Sequence, residues 1–381
     1  MLLKTLIHRH GEGWLAPLPG ELDSPNTLVL AFGASGYAQH PAALQELAAA
    51  FPRSVLAGCS TSGEIASEQV SDASISVAVA RFNHTQLRRA LTGVAGPADS
   101  RAAGERLAEQ LSGHDLRAVF VLSDGLNVNG TPLVEGLAGA LPKGVSITGG
   151  LAGDGSRFAS TWVLDGARPV PRHIVAVGLY GRRLRVNHGC DAGWSDFGPE
   201  RRVTRSDGNV LYELDGKPAL DQYKTYLGER AAGLPGTALL FPLAIRRQGA
   251  LGDALVRTIL GIDEARHSLT FAGDMPEGAI ARLMRTSNDH LIDSAHKAVW
   301  QAAQGLAIDA SPLVISVSGV GRRMVLGERT DEEVETIVDG APARAGHVGF
   351  YSYGEISPAL GGSGVSALHN QTMTVTMFSE A

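Results

Sequence analysis

Short apolar runs alternate with amphipathic stretches along the whole chain, the pattern of buried strands packed against helices. Residues 27–32 (TLVLAF) read as a buried strand, 41–51 (PAALQELAAAF) as a helix with Leu44, Leu47 and Ala48 on one face, and 54–60 (SVLAGCS) as a strand ending in small residues. A further strand follows a turn region at 73–82 (ASISVAVARF). The order strand, helix, strand, strand recurs at 118–122, 131–141, 146–155 and 173–180, and again at 313–319, 330–338, 346–356 and 371–378. A fourth copy is expected from 238–245 (ALLFPLAI) through 269–304, with a long helix over 278–304. Internal repetition is thus the main organising signal. It predicts an α/β fold, with α+β as the variant: two related domains built from these units, sheets covered by helices. The charged segment 181–187 (GRRLRVN) places the boundary so that 1–183 and 184–381 are the two halves.

Composition narrows the function classes. The chain has 381 residues, 44% hydrophobic and 19% charged, with a formal net charge of −6. That balance supports large cores and lacks the basic footprint of a nucleic-acid binder. No stretch has the length and apolarity of a membrane span, and 1–10 (MLLKTLIHRH) is broken by charge before it reaches signal-peptide length. Two cysteines, Cys59 and Cys190, make no disulfide framework. A cytoplasmic protein is expected, with no nucleic-acid or membrane partner; an oligomer stays open. Glycine is the anomaly, at 47 residues, well above the usual share of about 7%.

Common catalytic templates are missing. The Gly216-Lys217 pair is followed by Pro218, so there is no phosphate loop, and GxGxxG, Gly-x-Ser-x-Gly, HExxH and paired CxxC motifs are all absent. No enzymatic activity is expected. Glycines gather instead at strand ends: Gly58, Gly63, Gly149, Gly150, Gly153, Gly155, Gly354, Gly361, Gly362 and Gly364. Such ends permit tight turns, or let backbone approach a ligand closely. Glu64, Asp154 and Glu355 sit in these turns, either presenting a carboxylate to a ligand or capping nearby N–H groups. Of the twelve histidines, His8, His10, His40, His84 and His114 read as solvated, and His290 and His296 fall on the expected long helix. His188, in a small-residue loop beside Cys190, and His369, before the last strand, remain as candidate metal or haem ligands, or as structural hydrogen-bonded histidines.

Several segments together resemble the FIST family of sensory domains: GCSTSGEI (58–65), SDASISVAVARF (71–82), FVLSDGL (120–126) and TGGLAGDG (148–155) in its N-terminal half. HGCDAGW (188–194), VTRSDGNVLYELDGKPALDQY (203–223), AGDMPEGAIARLM (272–284), YSYGEI (351–356) and LHNQT (368–372) match in its C-terminal half. The resemblance implies ligand sensing, and because the chain ends soon after the last matching strand, a stand-alone sensor signalling to a separate protein. Stand-alone members of this size include nitric-oxide-sensing haemoproteins of the NosP group, thought to act on partner histidine kinases. On that reading a non-covalent haem b is bound, with His188 as axial ligand, or His369 as second choice, and with Trp194, Phe197 and Arg201 contributing to its pocket. The alternative is a non-haem sensor of an amino acid or other small polar ligand, in a pocket of Cys59, Glu64, Gly150, Asp154, Tyr353 and Glu355.

Overall fold

The computed structural model describes residues 1–246, 254–307, 310–358 and 365–381, so the expected glycine turn at 361–364 lies outside the described residues. The fold is mixed α/β, and the repeated unit occurs three times. In the first unit Thr27–Ala34 runs parallel to Val55–Thr61 through the crossover helix α1 (Ala42–Ala50). Ser74–Arg81 returns antiparallel on the other side, and Leu2–Arg9 lies outside it. The second unit repeats this plan with Gln86–Gly93, α2 (Ser100–Leu111), Leu116–Ser123, α3 (Gly130–Ala140), Ser146–Leu151 and His173–Tyr180. The third begins at Leu184–Asp191, is interrupted by a separate antiparallel sheet containing α4 (Ala219–Leu227), and resumes with α5 (Asn288–Ala303) and Leu313–Gly319. It closes through α6 (Val320–Leu326), α7 (Thr330–Gly340), Gly346–Ser352 and Met373–Glu380.

Side-chain alternation along the central strands explains the layers. From the first unit, Leu28, Leu30 and Phe32 point into an interior shared with Phe120 and Leu122 of the second and with Ile315, Val317 and Phe350 of the third. Val29 and Ala31 point the other way, onto Leu44 and Leu47 of α1. Strands buried on both faces need nearly continuous apolar runs, which is why they were visible in the sequence. The rings of Phe32 and Phe350 lie 4.7 Å apart across this common core.

The units also exchange strands. After Val55–Thr61 the chain crosses to the third sheet, where Glu64–Ala66 pairs with Gly346–Ser352. Beyond Gly346–Ser352, Gly354–Pro358 pairs with Ser146–Leu151 of the second sheet. The second unit in turn sends Val163–Asp165 to the first, with Val163 opposite Cys59. The exchange therefore closes a ring of three, and it crosses position 183/184 twice. One glycine in each second strand makes this packing possible: a Cβ on Gly58, Gly149 or Gly349 would lie 2.2, 1.8 or 2.2 Å from the carbonyl oxygen of Ala31, Val121 or Ser316 on the neighbouring parallel strand. Part of the glycine excess is thus sheet packing.

Among the described residues the expected fourth copy is absent. Residues 195–246 and 254–285 form the inserted sheet with α4, and in it Ser195–Asp207 pairs with both Val210–Leu214 and Ile280–Arg285. Its own core includes Leu211, Phe271, Ile259 and Tyr223 of α4. The helix expected over 278–304 is a strand, Ile280–Arg285, followed by α5, because Ser287 caps the helix at the His290 N–H and starts it there.

Candidate functional site

Two residues beyond the end of the second strand of each unit stands a glycine followed by an acid: Gly63-Glu64, Gly153-Asp154 and Gly354-Glu355. All three carboxylates are buried and fully engaged inside the protein. Glu64 accepts hydrogen bonds from Thr61 Oγ1 and from both the N–H (3.0 Å) and Oγ (2.8 Å) of Ser74. Glu355 repeats this arrangement with Ser352 Oγ at 2.7 Å and the Thr372 N–H and Oγ1 at 2.9 and 2.8 Å. Asp154 accepts from the N–H groups of Phe158, Ala159 and Ser160 and from the Tyr353 hydroxyl. Capping is thus what these acids do, and it ties each strand end to the chain that follows.

Burial pushes the Glu64 and Glu355 carboxyls up to about 7, against the pull of the donors aimed at them. A carboxyl whose folded pKa exceeds its unfolded value stabilises the protein fully below the unfolded value, and that stabilisation is lost as pH rises through the folded one. For Glu355 the window runs from about 4.5 to about 7. His347 and His369, lowered to about 4 by burial, act in the opposite sense below about 6.5. A comparison of variants isolates the glutamate. The stability of the parent relative to Glu355→Gln should fall by about 1.4 kcal/mol per pH unit across that window, measured by urea unfolding; a difference independent of pH contradicts it.

Beside two of these turns lies a cleft of about 460 Å³ lined by Ser35, Gly36, Thr61, Ser62, Gly63, Glu64, Asp72, Asp154, Gly155, Arg157 and Arg323. The first unit supplies most of this wall, the second supplies Asp154 to Arg157, and the third supplies Arg323 from α6. A second cleft of about 560 Å³ adjoins it and shares Ser62, Asp72, Gly155 and Arg323. The Arg323 guanidinium donates through Nη1 to Ser62 O at 2.7 Å and grips Asp72 with two bonds of 2.8 Å. It lies flat on Gly63, where a Cβ would meet Nη1 at 2.6 Å, and its Cζ is 5.7 Å from the centre of the Tyr351 ring. Gly63 itself has φ +142°, a conformation that disfavours any side chain. Arg157 donates to Ser35 Oγ at 2.8 Å on the other side. The cleft thus presents two cations, the exposed Asp72 carboxylate and several hydroxyls, the lining of a site for a small polar molecule of mixed charge.

Of the polar-ligand residues expected from the sequence, Glu64 and Asp154 line this cleft, and Tyr353 reaches it through its bond to Asp154. Gly150 lies opposite Glu355 in the strand pairing behind it. Cys59 is buried in the common core, its thiol pushed well up by burial. Arg323 and Asp72 went unnoticed because an Arg-Arg pair and a Ser-Asp turn read as surface.

The haem candidates are dispersed. His188 lies within the strand Leu184–Asp191 rather than in a loop, because its small neighbours Gly189 and Cys190 pack against α5: a Cβ on Gly189 would lie 1.9 Å from Ala298 O. His369 ends the strand Ser366–His369 of another sheet, its Nε2 3.3 Å from Ser357 O. Trp194 donates its indole N–H to Gln371 O at 2.9 Å. Phe197 and Arg201 lie in the inserted sheet, the first nearly half exposed beneath Arg285 and the second paired with Asp215 at 3.2 Å. These five residues share no cleft described here, and neither histidine lines the two above. Among the described residues no group of three His, Cys, Asp or Glu side chains is placed to hold a metal ion. Of the histidines expected to be solvated, His10 and His40 are exposed and His8 is half-buried; they lie near Tyr37, with the His8 and His10 rings 5.6 and 6.4 Å from it and the His40 ring 6.0 Å from His10.

Comparison with known proteins agrees with the motifs. Residues 27–217 match the FIST N domain and 219–358 the FIST C domain. The chain is also 26% identical over 163 residues to an uncharacterised protein, MJ1623, of Methanocaldococcus jannaschii. The match covers 39% of this chain and 31% of that protein, so it spans about a third of the relative's length. No helix among the described residues is long and apolar enough to cross a membrane. With the two matches together covering most of its length, the chain belongs to the FIST family, whose domains are sensory domains of signal transduction.

Proposed function

We propose that the chain is a cytoplasmic, non-catalytic sensor of a small polar molecule carrying charge of both signs, such as an amino acid. The molecule is held in the cleft around Arg323, and its binding is read by a partner signalling protein such as a histidine kinase. The observation that carries this is the origin of the lining: side chains of all three units face the one cleft. A molecule bound there touches each unit, so its binding energy bears on how they are arranged, which is what a sensor needs. A thermal-shift screen of amino acids and small carboxylates against the full chain tests it. A true ligand at a hundred times its Kd adds about 2.7 kcal/mol of stability, and Arg323→Met should abolish the effect. A ligand whose stabilisation is untouched by Arg323→Met would place the site elsewhere.

One observation favours the haem reading, in which nitric oxide is the signal: Nδ1 of His188 is buried without a hydrogen-bond partner. A Soret band in protein purified from haem-replete cells, lost in His188→Ala, supports that reading. Protein without the band after haem reconstitution and desalting rules it out.

A further inference from the structure

We propose that Arg323 is an anion receptor whose place is held by Asp72: a carboxylate or phosphate group of the bound molecule takes over the guanidinium, and Asp72 swings away. The inference rests on the reading of the cleft as the ligand site and adds the chemistry of one end of it.

The two partners are unequally held. The Arg323 side chain is 24% exposed, anchored by Ser62 O, laid on Gly63 and backed by Tyr351. The Asp72 side chain is 75% exposed, and among the described residues its hydrogen bonds are the two to Arg323. Exchange therefore leaves the guanidinium where it is and moves the carboxylate. The incoming group forms the same bidentate pair that Asp72 gives up, so it loses no hydrogen bond at the cation. Asp72, three-quarters exposed, exchanges its two bonds to the guanidinium for bonds to water on release.

Position gives the exchange a consequence. The pair stands between the two clefts, since Ser62, Asp72, Gly155 and Arg323 line both. Withdrawal of Asp72 opens one into the other. Asp72 also follows directly on the hairpin of Glu64–Ala66 and Gln69–Ser71, which the third unit holds by Arg323 at Asp72, by Asp331, whose carboxylate accepts the Val70 N–H at 2.9 Å, by His347 at Ser67 and by the pairing of Glu64–Ala66. Loss of the first hold leaves the hairpin tied to the third unit through Asp331, His347 and the strand pairing of Glu64–Ala66. Ligand arrival is thereby converted into a change at the seam between first and third units.

The test titrates the full chain with succinate and, separately, with inorganic phosphate at constant ionic strength, following binding by calorimetry in the parent, Asp72→Asn, Arg323→Lys and Arg323→Met. Asp72→Asn, which leaves the receptor unoccupied, should bind at least one probe about tenfold more tightly than the parent, a gain of about 1.4 kcal/mol. Arg323→Lys, which keeps the charge but not the fork, should bind more weakly than the parent, and Arg323→Met not at all. The probe that gains identifies the head group as carboxylate or phosphate. Loss of binding in Arg323→Met with no gain in Asp72→Asn overturns the exchange while leaving the cleft as the site. Binding unchanged in every variant, or no binding of either probe by Asp72→Asn, overturns the receptor; unchanged binding removes the cleft reading with it.

Discussion

Arg322→Ala should destabilise the fold by about 3–5 kcal/mol, the cost of leaving a buried charge without its partner. Arg322 and Glu333 are both wholly inaccessible and 2.6 Å apart. Arg322 also donates through Nη1 to Ala192 O at 2.6 Å and through Nη2 to Leu291 O and Ser294 Oγ at 2.9 Å. Glu333 accepts from Ser318 Oγ and from the Tyr351 hydroxyl. One guanidinium therefore joins α5, α6, α7 and the chain just ahead of the inserted sheet. Against a total stability of about 5–15 kcal/mol for a typical domain, the loss is about a fifth or more. Joint replacement, Arg322→Met with Glu333→Leu, removes both charges and should recover most of it. Denaturant midpoints of the three proteins decide; a single substitution costing under about 1 kcal/mol, or no recovery in the pair, contradicts the assignment.

The second large effect concerns the halves of the chain. Residues 1–183 produced alone should fail to reach a native state. Glu64–Ala66 then has no Gly346–Ser352 to pair with, and Ser146–Leu151 loses Gly354–Pro358. Phe32 and Phe120 face solvent where Phe350 and Phe378 covered them, and each buried aromatic stabilises by about 1.5–3 kcal/mol. The expected fragment has weak near-ultraviolet dichroism and aggregates, and addition of 184–381 should restore the native spectrum. A fragment that unfolds cooperatively by itself would show that the strand exchange is dispensable.

The legible parts of this fold were those in which one force dominates. Leu28 to Phe32, Val119 to Leu122 and, but for Ser316, Leu313 to Val317 are apolar because both faces are buried, and their recurrence disclosed the repeated unit. The count of units was harder. Ser195–Asp207 is mostly exposed and polar, so its strand character lies in pairings with distant segments rather than in its own pattern. The apolar residues at 238–245 then read as another copy when they serve a different core. At the site, the Gly-acid turns were visible because glycine followed by a buried acid is unusual chemistry for a strand end. Arg322 and Arg323 were not, although adjacent residues on a helix face different ways: one is sealed beside Glu333 and the other reaches the cleft.

Hydrogen exchange of the full chain, with and without the molecule selected by thermal shift, tests directly whether one cleft is shared by the three units. Slowed exchange is expected on binding in segments of every unit at this cleft and the one adjoining it: 60–64 in the first, 153–158 in the second and 320–331 in the third. Protection confined to one unit, or centred on 186–202 and 366–371 around His188 and His369, would contradict it.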